Sequence, residues 1–144
     1  MDHRSSEDDR IFLDAFESAS LDPEAFTHEA HLRVAYTCLC NLYPEQAFER
    51  FRSGLHQLLS ENDIDPSKYH ATLTRAWLLA VWHFMSETPS SNSFGEFIAN
   101  NGIMLDPEIM MTHYSEQALG SDHARQEFVE PDLEPIPRHE TPGT

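Results

Sequence analysis

Apolar residues recur three and four apart along this chain, and no stretch alternates strictly over five or more residues between turn signals, so the pattern predicts helix almost throughout. A first helix over about residues 7–20 carries the stripe Ile11, Phe12, Ala15, Phe16 and Ala19. It stops ahead of Leu21-Asp22-Pro23, because a proline disfavours helix in the residue before it. A second helix runs from residue 23 or 27 to about 42. A third opens at Pro44, a residue suited to the first helical position, and runs to about residue 61 with Ala47, Phe48, Phe51, Leu55, Leu58 and Leu59 facing inward. After a turn at 62–66 comes the most apolar segment, a fourth helix over about 69–87, which the polar loop 86–93 ends. Two short helices follow near 94–101 and 106–114, the latter opened by Asp106 as cap and Pro107 at the first position, and a last helical turn lies near 121–128.

Prolines at 131, 135, 137 and 142 exclude regular helix or central strand beyond that point. The expected class is therefore all-α: an irregular bundle of five to six helices with an extended Pro-rich C-terminal tail. Residues 1–137 are expected to form a single helical domain and 138–144 a disordered tail. With 144 residues there is enough chain for one compact core and too little for two of ordinary size.

Charge narrows the partners. Nine Lys and Arg against 25 Asp and Glu give a formal charge of -16, which disfavours nucleic acid and anionic membrane surfaces. No apolar run approaches the roughly 20 residues needed to span a bilayer, and the opening MDHRSSEDDR is acidic where a signal peptide would be basic and then apolar. A cytoplasmic protein is expected. Cys38 and Cys40, two apart on one helix, point to different sides and are not placed to bridge each other.

The chemistry suggested by the sequence lies in histidine. On a helical wheel, Leu32, Ala35, Tyr36, Cys38, Leu39 and Leu42 of the second helix share a broad face, with Glu29, Arg33, Thr37 and Asn41 opposite; His28 and His31 fall on the apolar side. In the fourth helix, His70 falls amid Leu73, Trp77, Ala80, Val81 and Phe84. Both burial and the positive end of the helix dipole favour the neutral, metal-binding form of such an imidazole. Spacing of i, i+3 lets His28 and His31 share one ion, and His70 from another helix would complete a three-nitrogen site with open positions. Fe, Zn, Cu or Ni suits such ligation better than Mg or Ca. The simpler alternative is that each imidazole is a core residue bonded to a carbonyl or hydroxyl. His3, His56, His83, His123 and His139 are expected to be solvated, and His113 to be either structural or an additional ligand.

Thr74, at i, i+4 from His70, could orient that imidazole or bind substrate, or could simply bond back to a helical carbonyl. Arg33 and Arg75 could hold an anionic substrate group, or pair with some of the 25 acids. Candidates for a carboxylate ligand are Asp14, Glu17, Glu130 and Asp132. His28-Glu29-Ala30-His31 is one residue too short for H-E-x-x-H, and there is no G-x-S-x-G elbow.

The order of FTHEAHLRVAY, KYHATLTRAW, HYSEQALGSDHAR and FVEPDLEPIP resembles that of a group of small uncharacterised bacterial helical proteins, over residues 26–137. The combination F-T-H-x-x-H-L with Y-H-x-T-x-T carries the likeness. It implies a single domain, a focus on His28, His31 and His70, and a P-D-L-x-P segment with Asp132 that belongs to the folded unit; it implies no particular reaction or oligomeric state. The expected function is that of a small metal-binding helical protein, acting on a small-molecule substrate by oxidation or metal-assisted hydrolysis at His28, His31 and His70, with Thr74 and Arg75 assisting. Its rivals are a non-enzymatic helical binding or interaction module with buried histidines, and a histidine-based pH sensor.

Overall fold

A computed structural model describes residues 3–65 and 69–137. Among these residues the chain is all-helical: seven α-helices, α1 Glu7–Glu17, α2 His28–Leu39, α3 Pro44–Glu61, α4 Ala71–Glu87, α5 Phe94–Ala99, α6 Glu116–Leu119 and α7 Asp122–Gln126, with 3-10 turns at Pro23–Ala25, Gly102–Leu105 and Pro107–Thr112. None of these helices is long and apolar enough to cross a membrane. The tail expected to be disordered, 138–144, lies outside the described residues.

Local chemistry sets most of the boundaries. Ser6 opens α1 with a capping box, its hydroxyl accepting from the Asp9 N–H while the Asp9 carboxylate accepts from the Ser6 N–H. Thr27, Ser93, Ser115 and Ser121 cap α2, α5, α6 and α7 in the same manner, each hydroxyl accepting from an N–H three residues on. Helix α1 ends at Glu17, three residues before the expected stop, because Ala19 takes a left-handed φ of 60° and folds the chain back. Pro23–Ala25 forms a separate 3-10 turn capped by Asp22, so α2 starts at His28.

Helix α2 is the hub, packed against α1, α3, α4 and α5. The face opposite the apolar one is therefore partly covered: Thr37 is only 2% exposed and bonds back to the Arg33 carbonyl, and Arg33 is partly buried, while Glu29 and Asn41 stay exposed. Phe16 of α1 lies fully buried against Phe26 and Phe51, and α3 passes so close that Gly54 has no room for a side chain. A Cβ built there would lie 2.4 Å from the Phe16 ring. Overpacking of this kind costs about 1–3 kcal/mol, against about 1 kcal/mol returned by the better helix propensity of alanine. Gly54→Ala is thus expected to lower the urea midpoint. An unchanged or higher midpoint would show that the Phe16 ring yields.

The non-helical stretch from 128 to 137 is fastened to the bundle. Buried Thr72 of α4 donates to the Glu127 carbonyl at 3.0 Å and accepts from the Val129 N–H at 3.1 Å, while the Tyr114 hydroxyl donates to the Val129 carbonyl at 2.6 Å. Asp132 accepts from the Ser115 N–H and hydroxyl at 2.9 and 2.7 Å, which holds its carboxyl below the usual range, and Ile136 is buried.

Candidate functional site

The three histidines do not form a metal site. His28, the first residue of α2, donates from Nε2 to the Met104 carbonyl at 2.9 Å and stands edge-on to Trp77 at 4.5 Å. His70 donates from Nε2 to the Leu119 carbonyl at 2.8 Å, and its Nδ1 accepts from the Leu73 N–H at 3.2 Å. Carbonyls only accept, so in both rings Nε2 carries the proton. The imidazole of His70 is thus the N-cap of α4, with extended backbone, and not a member of the helical face, because α4 begins at Ala71. His31 packs against Phe26 and Phe51, at ring separations of 6.0 and 4.7 Å, with its Nε2 buried and without a hydrogen-bond partner among the described residues. Burial first, then the charge of His28, lowers its pKa from 6.5 to about 4, opposed in part by the Thr74 backbone. Among the described residues no three His, Cys, Asp or Glu groups are placed to hold a metal ion. The expected three-histidine transition-metal site for oxidation or hydrolysis is corrected accordingly: these rings close helix ends and fill the core.

The other candidates scatter. Thr74 is buried and donates to the His70 carbonyl at 2.7 Å. Arg33 pairs with Asp9 at 3.0 Å, and Glu17 binds Arg50 through both oxygens at 2.6 and 2.8 Å. His113 donates from Nδ1 to the Glu134 carbonyl at 2.7 Å. His3, expected to be solvated, is 6% exposed: Nε2 donates to the Met85 carbonyl and Nδ1 meets the Ser91 hydroxyl, both at 2.7 Å. Cys38 and Cys40 are free, and burial pushes both thiols up to about 12, which keeps them neutral and poorly nucleophilic.

Arg75 leads to a different place. It lines a cleft of about 570 Å³ between α3, α4 and α7, with Phe48, Arg52 and His56 from α3, Tyr69 ahead of α4, Arg125 from α7 and Phe128 from the tail. The Arg75 guanidinium lies 5.1 Å from the Phe48 ring centre and 5.3 Å from that of Phe128, and one of its nitrogens pairs with Glu45. Arg52 pairs with Glu49 at 2.8 Å. Arg125 makes no ion pair among the described residues. Asp122 and Glu127 also line the cleft, at exposed positions.

Three of the nine cationic residues of a strongly acidic chain therefore meet in one cleft. The hydroxyl of Tyr69, another lining residue, is buried without a hydrogen-bond partner among the described residues, and burial raises its pKa, so it stays protonated and able to donate. Its ring lies 4.5 Å from that of His56. Aromatic rings beside guanidinium groups and a spare hydroxyl donor suit a ligand with an anionic end and a flat apolar body. The sequence exposed one of these cations, Arg75. Arg52 and Arg125 sit 73 residues apart in the chain (125 minus 52) and are brought together only by the packing of α3 and α7 on α4. The available signal was scarcity, since in so acidic a chain every arginine is informative. Comparison with protein-family models, curated proteins and solved structures finds nothing that matches this chain.

Proposed function

We propose that this chain is a helical binding module, without chemistry of its own, whose cleft between α3, α4 and α7 takes a small anion bearing an aromatic or apolar body. The observation that carries the proposal is the convergence of Arg52, Arg75 and Arg125 beside the unpartnered Tyr69 hydroxyl in a chain of formal charge -16. The volume falls within the range of small-molecule pockets. Arg75, packed on the rings of Phe48 and Phe128, carries a planar fork suited to a carboxylate or phosphate, with less rotamer freedom to lose on binding than an unsupported side chain. Glu45 and Glu49 screen two of the three guanidinium groups, and both pairs are solvent-exposed enough to exchange for a ligand at small cost. Two unpaired cysteines suit a reducing compartment such as the cytoplasm.

Titration calorimetry with benzoate and phenyl phosphate tests this, with benzamide as the uncharged control. At least one anion is expected to bind with submillimolar affinity that weakens with salt, and Arg75→Gln should weaken it about tenfold, or about 1.4 kcal/mol. No binding of either anion up to about 10 mM, or binding indifferent to Arg75→Gln, would refute the proposal.

A further inference from the structure

A second cleft lies toward the C-terminal end of α4, where Trp82 and Met85 face Leu39 at the end of α2, Cys40 and Tyr43 in the turn that follows, and Gln46 of α3. Its volume is about 470 Å³, against about 30 Å³ for one water molecule in the liquid, so it has room for a small organic molecule. Among the described residues no Asp, Glu, Lys or Arg lines it, although about a quarter of the chain is charged. Of the titratable wall residues His3, Cys40 and Tyr43, His3 already has both ring nitrogens engaged by Met85 and Ser91.

Trp82 is only 4% exposed, and its indole Nε1 is buried without a hydrogen-bond partner among the described residues. Indole N–H only donates, and a buried donor left unmet keeps the cost of its lost hydration, so an acceptor that reaches it is favoured. The Tyr43 ring stands edge-on to Trp82, with centres 6.2 Å apart and planes at 89°, and forms an aromatic corner of the cleft. Leu39 and Met85 supply apolar wall.

We infer that this cleft is a binding site for an uncharged small molecule that offers a carbonyl-type acceptor to Trp82 Nε1 and an aromatic or aliphatic body to Tyr43, Leu39 and Met85. The absence of charged lining selects against ions, because an ion would lose hydration with no counter-charge to replace it. The site is independent of the arginine cleft, which has different walls and the opposite preference.

The test uses the full chain labelled with ¹⁵N at its two tryptophans and titrated with acetophenone, with benzoate as the charged control. A saturable shift of the Trp82 indole resonance is expected with acetophenone, none at that resonance with benzoate, and little change at Trp77. Trp82→Phe keeps an aromatic ring and removes the N–H; it should weaken acetophenone binding about tenfold in ligand-observed spectra. If that variant does not fold, Tyr43→Ala, at a partly exposed position, carries the same expectation. A Trp82 resonance unmoved up to about 10 mM acetophenone, or affinity unchanged in the folded variant, would overturn the inference.

Discussion

Replacing Asp9 by alanine is expected to remove about 3 kcal/mol of stability, the largest loss from any single polar side chain here. The Asp9 carboxylate is 2% exposed and joins three elements. One oxygen accepts from the Ser6 N–H at the start of α1, at 3.0 Å, and from the Phe94 N–H that opens α5, at 2.9 Å; the other accepts from the Arg33 guanidinium of α2, at 3.0 Å. Burial raises its pKa, but these backbone and side-chain bonds outweigh it and the net shift is downward. Alanine would strand two N–H groups and a half-buried guanidinium that also lies over the Phe12 ring. Because the folded pKa is the lower one, the stabilisation is present above the ordinary value of 3.8 and is lost as pH falls through the folded value. Urea titration near neutral pH measures the effect. A loss below about 1 kcal/mol would show that water or Arg33 rearrangement replaces the carboxylate.

Acidification from pH 7 toward 4 is expected to remove roughly 2–3 kcal/mol through His31. Its pKa falls from 6.5 in the unfolded chain to about 4 in the folded one, so between these values the unfolded chain binds the extra proton and gains. The stability is therefore complete above about pH 6.5 and declines as pH drops toward 4. Protonation would place a charge against Phe26 and Phe51 on a ring whose Nε2 has no acceptor among the described residues. Neutralising some of the 25 acids relieves self-repulsion and acts in the opposite direction, so the measurement is the difference between wild type and His31→Leu. The substitution should flatten the pH dependence between 6.5 and 4.5. Parallel curves for the two proteins would mean that His31 does not supply it.

The apolar periodicity carried the long helices well. The third predicted helix, 44–61, coincides with α3, and Pro44 and Asp106 open their elements as their chemistry requires. The polar side of α2 was less legible: Arg33 and Thr37 read as solvent-facing, yet α1 and α5 cover much of that side, and Arg33 turns to a buried carboxylate supplied 24 residues earlier. Nothing in the spacing around Asp9 distinguishes it from Asp8, because its burial depends on where α5 docks.

The histidines show the limit most clearly. Their inward placement was visible in the wheel for His28 and His31, and all three are at least partly shielded from solvent. What each nitrogen meets was not visible, since the Met104 and Leu119 carbonyls come from segments 76 and 49 residues away. A wheel also assumes an unbroken helix; the one-residue difference between a helical His70 and a capping His70 turns the ring from the bundle face to its own backbone.

By itself, then, the sequence determined an all-helical chain, because periodicity, caps and prolines act over a few residues. It also determined the strongly acidic net charge, because charge is additive along the chain. Only the tertiary structure decided which polar groups find partners and which do not: the carbonyls that hold His28 and His70, the three arginines around Tyr69, and the unmet indole of Trp82. Hydrogen bonds and clefts depend on distances between segments far apart in sequence, and packing sets those distances.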